Sequence, residues 1–311
     1  MRVPPRVIRG AQIAVGIALL AVLWHLADGA AALHLLAGAD PLWLLAALVA
    51  LSVQTVLSAL RWRLTAAPLG IALSRTRAIG EYYLAQIVNQ ALPGGMIGDA
   101  GRALRARGQA GLLASGQAVV FERLAGQIAM FAVLALAFGV TLALPGGLDW
   151  PGWLVGPVSL IVLCGLALPL VVLAATRVPG RIGRGVQGFW RALRLALASR
   201  QVLAGQICLS IGTTLCNLAA FAFCARAVGV HLPLVVVAAL VPLILFTMLI
   251  PVSVSGWGLR EGAAAALFPV AGATASEGLA TSVAFGLTFV VAVVPGVVPL
   301  WLRPKAPVMK P

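Results

Sequence analysis

Two glycine-rich interruptions of an otherwise apolar chain each place an acidic residue close to an arginine. These pairs are Asp99 with Arg102 and Glu261 with Arg260. Arginine side chains and the free N–H groups at the start of a helix both attract anions, so a phosphate group is the ligand that this pattern predicts. The carboxylates would pair with the arginines when no ligand is bound.

These four residues have two possible roles. We predict either ion pairs that cross from one interruption to the other or a polar gate, and the alternative is that the pairs only hold the hairpins together. For Glu122 and Arg123 the alternatives are substrate contact and anchoring at the membrane interface. The predicted substrate-binding or gating residues are Asn89, Asp99, Arg102, Glu122, Arg123, Arg260 and Glu261. The predicted hinge and turn residues are Pro93, Gly94, Gly95, Gly98, Pro251, Ser253, Ser255, Gly256 and Gly258.

The composition is that of a membrane protein. Hydrophobic residues make up 61% of the chain and charged residues only 10%, against roughly 25% charged in typical soluble domains. The connections between apolar segments are short, so we expect a single integral membrane domain over residues 1–311. The net charge of +14 would suit a nucleic-acid partner. The arginines lie in short loops between apolar spans, however, where they orient a protein in the bilayer, and we predict no nucleic-acid partner.

The sequence contains no pattern for a metal, a cofactor or an enzyme active site. Its four cysteines lie in apolar spans and form no C-x-x-C pair, and its three histidines have no second ligand at metal-binding spacing. No P-loop, dinucleotide fingerprint or nucleophile motif occurs. We therefore expect no metal, no cofactor and no catalytic residue.

An all-α polytopic membrane fold follows from the lengths of the apolar segments. A full span needs about 20 apolar residues. The six predicted spans are residues 11–27, 42–60, 118–143, 153–175, 202–228 and 278–302. Shorter apolar pieces flank each interruption and predict re-entrant helical hairpins over residues 79–101 and 233–270. The first span follows a basic N-terminus, and we interpret it as an uncleaved anchor rather than a signal peptide.

The distribution of Lys and Arg sets the predicted orientation. Basic clusters precede span one and follow span two, the first hairpin, span four and span six, and Arg61 is counted in the cluster after span two. The opposite loops contain no Lys or Arg; they are residues 28–41, 144–152, 229–232 and 271–277. We therefore expect both termini in the cytoplasm, with the chain in a bacterial inner membrane. A basic amphipathic stretch, residues 181–200, should lie on the cytoplasmic membrane surface.

The same orientation predicts an inverted repeat. Each half, roughly residues 10–143 and 153–302, contains in order a span, a span, a hairpin and a span. Because three spans are an odd number, the second half is inverted relative to the first. In transporters built this way, the interrupted segments meet near the bilayer midplane and form the substrate site.

Several motifs resemble those of the lysylphosphatidylglycerol synthase transmembrane family of flippase-like membrane proteins. They are Asn89, the Leu92-Pro93-Gly94 turn, Gly98-Asp99 with Arg102, Glu122-Arg123, and the segment from Pro251 through Gly256 and Gly258 to Arg260-Glu261. The resemblance covers roughly residues 10–300. It departs at Ile97, where the family often has a second glycine, and at Trp257, where a smaller or aliphatic residue is usual.

This resemblance implies lipid translocation. In the family, the membrane half of a bifunctional aminoacyl-phospholipid synthase is associated with moving the modified lipid to the outer leaflet. We expect a non-enzymatic, flippase-like protein that moves a phospholipid or lipid-linked intermediate, with Arg102 and Arg260 attracting the headgroup phosphate. The alternative is a non-transporting scaffold that partners a lipid- or glycan-biosynthetic enzyme.

Overall fold

The computed structural model describes residues 14, 17–18, 21–92, 96–143, 148–250 and 255–297, which form helices and short connections without any strand. Five predicted hinge residues lie outside the described residues: Pro93, Gly94, Gly95, Pro251 and Ser253. Part of the predicted first span also lies outside them, although residues 21–26 are helical.

Ten α-helices have both ends within the described residues, and we number them in chain order. They are α1 (Gly29–Ala37), α2 (Pro41–Ala66), α3 (Arg75–Ala91), α4 (Ile97–Ala143), α5 (Gly152–Ala175), α6 (Arg181–Ala198), α7 (Leu203–Ala227), α8 (Leu234–Phe246), α9 (Leu259–Leu267) and α10 (Ala275–Val293). Short 3-10 turns follow α2, α8, α9 and α10; they are Ala67–Leu69, Thr247–Leu249, Phe268–Ala271 and Val294–Val297.

Five helical segments of the described chain are long and apolar enough to cross a membrane. They are Pro41–Leu69, Ile97–Ala143, Gly152–Ala175, Leu203–Ala227 and Ala275–Val297. They correspond to predicted spans two to six, so the prediction of an all-α polytopic membrane protein is confirmed. Helix α5 presents Leu160, Leu163 and Leu170 with more than half of each residue exposed, as expected of a helix that faces lipid.

The predicted outer loop 28–41 is wrong in one respect, because it contains helix α1. Asp28 caps this helix by accepting a hydrogen bond from the Ala31 N–H (3.1 Å), and the following alanines and leucines favour helix. The helix packs against α10. The loop was predicted because residues 28–41 lie between two predicted spans, and the absence of Lys and Arg there indicates the side of the membrane but not the secondary structure.

The first interruption forms a helical hairpin, as predicted. Helix α3 and the start of α4 run antiparallel, with the Gly98 N–H bonded to Asn89 (2.8 Å) near the tip and the Gln109 side chain bonded to Ala72 (2.7 Å) at the far end. Gly111 has φ 83° and ψ 170°, a conformation open mainly to glycine, and it divides α4. The part before Gly111 is the second leg of the hairpin, and the part after it is the long apolar segment.

The second interruption forms a shorter hairpin, also as predicted. Helices α8 and α9 are its legs, and they pack against each other. Ser255, Gly256 and Gly258, at the start of the returning leg, have φ of 50°, 81° and 87°. Positive φ favours glycine, which explains part of the glycine content of this interruption.

Helices α2 and α7 join the two halves of the chain and run antiparallel. At one end the Asp40 N–H donates to the carbonyl of Ala227 (2.8 Å), and at the other the Gln206 side chain donates to Thr65 (2.8 Å). This direction agrees with the orientations predicted for spans two and five. The polar side chains on the facing surfaces of these two helices contribute to the site described below.

Helix α6 corresponds to the amphipathic stretch predicted over residues 181–200. Its Phe189 ring packs edge-on against Phe121 of α4, with 5.1 Å between ring centroids. Arg191 and Arg194 are exposed on the other side of the helix. The helix therefore has the two unlike faces of a surface helix, and its place on the membrane stays a prediction.

Candidate functional site

Five charged residues form one connected group, which we call the ion cluster. They are Arg61, Asp99, Arg102, Glu122 and Arg123. Helix α2 supplies Arg61, and α4 supplies the other four from both sides of Gly111. Because three guanidinium groups face two carboxylates, the ion cluster carries one uncompensated positive charge when all five groups are ionised.

Glu122 lies at the centre of the ion cluster and is fully buried. Its Oε1 accepts hydrogen bonds from Arg61 Nη2 (2.8 Å) and from the Tyr82 hydroxyl (3.3 Å), and its Oε2 accepts from Arg102 Nη2 (2.8 Å). Charge-assisted bonds on both oxygens offset the cost of burying the carboxylate. The two roles predicted for Glu122, substrate contact and anchoring at the membrane interface, stay predictions.

Asp99 ties the tip of the first hairpin to the ion cluster. Its Oδ1 accepts from Arg102 Nε (2.8 Å), and its Oδ2 accepts from Asn89 Nδ2 (3.0 Å) and from Arg123. Asn89 in turn accepts a hydrogen bond from the Gly98 N–H through Oδ1 (2.8 Å). The predicted site residues Asn89 and Asp99 are therefore brought together, and they brace the two legs of the hairpin.

Arg102 is fully buried and does not line the cavity described below. Its guanidinium lies against the rings of Trp62 and Tyr82, at 4.9 and 4.6 Å from their centroids. Aromatic faces stabilise a cation in this position. Arg102 thus joins Asp99 and Glu122 from inside the protein, and its side chain presents no surface to a ligand.

The second hairpin has its own ion pair, between the neighbouring residues Arg260 and Glu261. Ser282 of α10 accepts from Arg260 Nε (2.9 Å) and donates to Glu261 Oε1 (3.0 Å). Glu261 Oε2 accepts from the Gly258 N–H (2.7 Å) and so caps α9. Both charged side chains are buried, with Phe285 against the guanidinium at 5.4 Å.

The prediction of ion pairs crossing between the hairpins is wrong. Arg102 pairs with Asp99 and Glu122 of its own half, and Arg260 pairs with Glu261 of its own half. These partners lie on the same or a neighbouring helix, so they meet once that hairpin folds. A pair across the two tips would have to span the cavity that separates them.

Arg61 is the main correction to the predicted site. It was counted as a cytoplasmic loop residue, but α2 continues past it and its side chain is 6% exposed. It bonds Glu122 on one side and, through Nη1, Thr213 of α7 on the other (2.8 Å). Gly126 makes room for it, because a Cβ at that position would lie 2.8 Å from Arg61 Nη2.

A signal for Arg61 was present in the sequence. Helix α2 carries polar residues at Gln54, Ser58, Arg61 and Thr65, and α7 carries them at Gln206, Ser210, Thr213 and Asn217. Both series follow the spacing i, i+4, i+7, i+11, which places polar side chains on one face of a helix. A polar face on an apolar span predicts a buried polar contact or a cavity.

A cavity lies beside the ion cluster and between the two hairpins. The volume of this cavity is about 210 Å³. Asn89 and Gln90 line it from the tip of the first hairpin, and Leu249 and Ser255 line it from the second. The two interruptions therefore meet at one central site, as the sequence predicted.

The wall of the cavity is polar on one side and apolar on the other. The first half of the chain supplies charged and carboxamide side chains, among them Arg61, Glu122 and Arg123. The second hairpin and α10 supply most of the apolar side: Leu245, Phe246, Met248, Leu249, Phe285 and Phe289. Such a surface complements an amphiphile better than a small polar solute.

The predicted hinge residues within the described chain occupy different places. Gly98 lies in the first turn of α4, with its N–H bonded to Asn89, and Gly258 caps α9. Gly256 packs against Met248, which lies 2.8 Å from where its Cβ would be. Ser255 lines the cavity. Their role as hinges stays a prediction.

The chain matches a known protein-family model. The model described as "Lysylphosphatidylglycerol synthase TM region" matches residues 11–296, which is nearly the whole chain and includes both hairpins. No curated protein and no solved structure gives a significant match to the chain.

Proposed function

The chain belongs to the lysylphosphatidylglycerol synthase transmembrane family, and on this premise we propose that it translocates a phospholipid or lipid-linked intermediate across the membrane. The observation that carries the proposal is the cavity between the two hairpins. It combines guanidinium groups with an apolar wall inside a multi-pass membrane protein. A lipid crossing the bilayer needs both, because its headgroup must be solvated while its chains stay in hydrocarbon.

Arg61 and Arg123 are the cations placed to attract the headgroup phosphate in this mechanism. Both line the cavity, whereas Arg102 and Arg260 do not. Asp99 and Glu122 hold the arginines in position, so the cationic wall exists before the lipid arrives and little reorganisation is needed. The glycine-rich tips act as hinges when the headgroup passes between them.

The polar faces of α2 and α7 support an inverted repeat with equivalent halves. The two helices are the second spans of the two predicted halves, they run antiparallel, and their polar residues share one spacing. Two equivalent halves around a central site would allow access from either leaflet by rocking one against the other. The proposed location is a bacterial inner membrane with both termini in the cytoplasm, from the distribution of basic loops.

We propose no reaction for this chain, because the matched family model describes a transmembrane region. A scaffold for a lipid- or glycan-biosynthetic enzyme is the second candidate function. A scaffold has no need of a ligand-sized cavity between two interrupted helices, so the cavity favours translocation.

Filling the cavity should block translocation. In liposomes containing the purified protein, we expect faster exchange of a fluorescent phospholipid between leaflets, measured with a membrane-impermeant quencher. Asn217→Trp should lower this protein-dependent rate by about tenfold, the factor corresponding to about 1.4 kcal/mol of lost headgroup interaction. Asn217 lines the cavity, so the indole ring would occupy the space of the headgroup.

Leu215→Trp is the matched control. Leu215 lies on the same helix but is 57% exposed and does not line the cavity. It should leave the exchange rate unchanged. Equal rates for both variants and the unmodified protein would contradict a route through the cavity, and no exchange of any lipid by folded protein would favour the scaffold.

A further inference from the structure

The polar wall of the cavity contains several carboxamide groups. Six side chains of this type line it: Gln54, Gln86, Asn89, Gln90, Gln127 and Asn217. Among the described residues, Asn89 and Gln54 have hydrogen-bond partners in the protein, whereas Gln86, Gln90, Gln127 and Asn217 find none. A carboxamide both donates and accepts, as a hydroxyl group does, so these four side chains can bind several hydroxyl groups at once.

The ion cluster beside this wall has a net charge of +1, which a ligand with one negative charge would neutralise. The ion cluster has one more guanidinium than carboxylate, and two of its arginines, Arg61 and Arg123, reach the cavity. The Arg123 side chain is 35% exposed; its Nη2 donates to Asp99, and its Nη1 makes no hydrogen bond with the described residues. A phosphodiester carries one negative charge and accepts such bonds, so it would complete both the charge balance and the bonding of Arg123.

An ammonium group finds no free carboxylate among the described residues that line this cavity. Both oxygens of Glu122, the one carboxylate among the lining residues, accept bonds from arginines. Asp99 is likewise bonded through both oxygens and is not a lining residue. A cationic headgroup would therefore be desolvated next to guanidinium groups without a free carboxylate, which disfavours its entry.

We infer that the cavity selects phospholipids in which a phosphodiester links the lipid to an uncharged, hydroxyl-rich headgroup such as glycerol or a sugar alcohol. This inference rests on the proposed function and names its substrate class. The carboxamide wall binds the hydroxyl groups, Arg123 with Arg61 binds the phosphodiester, and the wall formed by Leu245 to Leu249 contacts the start of the acyl chains.

Exchange rates of four lipids test the selectivity. The purified full chain is placed in phosphatidylcholine liposomes with tail-labelled phosphatidylglycerol, phosphatidylinositol, phosphatidylserine or phosphatidylethanolamine. We expect the first two to exchange about tenfold faster than the last two, the ratio that one bond to a charged group provides. Phosphatidylserine is the most informative of the four lipids. It has the same net charge as phosphatidylglycerol but carries an ammonium group, so it separates the effect of that group from the effect of net charge.

A variant links the selectivity to the ion cluster. Arg123→Gln should slow phosphatidylglycerol exchange by about tenfold and remove its advantage over phosphatidylethanolamine. Arg191→Gln, which changes an exposed arginine on α6, should have neither effect. An unchanged preference in Arg123→Gln would overturn the assignment of the phosphate to this residue.

The outcomes separate this inference from the proposed function. Equal acceleration of all four lipids would overturn the headgroup assignment and leave translocation standing. If no lipid is accelerated, calorimetric titration of the detergent-solubilised protein decides the headgroup class. Binding of dihexanoyl phosphatidylglycerol but not dihexanoyl phosphatidylethanolamine would support it, and equal or absent binding would overturn it. Equally tight binding of water-soluble glycerophosphoglycerol would overturn a lipid as the ligand.

Discussion

Glu122→Gln should be among the most destabilising conservative substitutions in this protein. Glu122 accepts bonds from Arg61 and Arg102, and all three side chains are at most 6% exposed. A neutral amide would leave three guanidinium groups, of which those of Arg61 and Arg102 are buried, with Asp99 as the one remaining carboxylate of the ion cluster. Removing one partner of a buried ion pair typically costs about 3–5 kcal/mol, so the midpoint of thermal unfolding in detergent should fall markedly.

Two further variants identify the cause. Asp149→Asn removes an exposed acidic residue and should leave the unfolding midpoint unchanged. Combining Glu122→Gln with Arg61→Met removes one of the stranded cations and should recover part of the lost stability, because the two sites are directly coupled. A Glu122→Gln protein as stable as the unmodified chain would contradict the network of bonds described for the ion cluster.

Gly98→Ala should disrupt the first hairpin. A Cβ at residue 98 would lie 2.0 Å from the carbonyl oxygen of Ala85, which is backbone of the opposing leg and cannot rotate away. The legs would have to separate, weakening the bond from the Gly98 N–H to Asn89 and, through it, the support of Asp99. Overpacking typically costs about 1–3 kcal/mol before the lost hydrogen bond is included, and the unfolding midpoint measures the total.

Gly108→Ala is the matched control for this change. Gly108 lies on the same leg, and a Cβ there meets nothing within 4 Å. Because alanine favours helix over glycine by about 1 kcal/mol, this variant should be as stable as the unmodified protein or slightly more stable. Similar losses in both variants would contradict close packing of the two legs at Gly98.

The sequence predicted the helical hairpins because glycine and charged residues inside apolar segments exclude a simple span. It also brought Asn89, Asp99, Glu122 and Arg123 into one site, since intramembrane ionisable groups must find partners. These inferences depend on which residues are unfavourable in contact with lipid, and such residues can be identified directly in the sequence. They needed no knowledge of how the helices pack.

The pairing of charges required information that the sequence does not state. Arg260 and Glu261 were predicted to pair across the site, but neighbouring groups reach each other without closing a long loop. Arg61 was assigned to a loop because positive charge at the end of a span normally marks the cytoplasmic side. Its place in the ion cluster depends on how α2 packs against α4 and α7, and the shared polar spacing of α2 and α7 was the available signal.

A photoreactive headgroup provides the most direct test of the central claim, that the cavity between the hairpins holds a lipid headgroup. The protein would be reconstituted with phosphatidylglycerol bearing a diazirine on its glycerol headgroup, irradiated, and mapped by mass spectrometry. The predicted result is labelling of cavity residues such as Gln127 and Met130, reduced by Asn217→Trp. Labelling confined to lipid-facing residues such as Leu136 and Leu160 would contradict the claim.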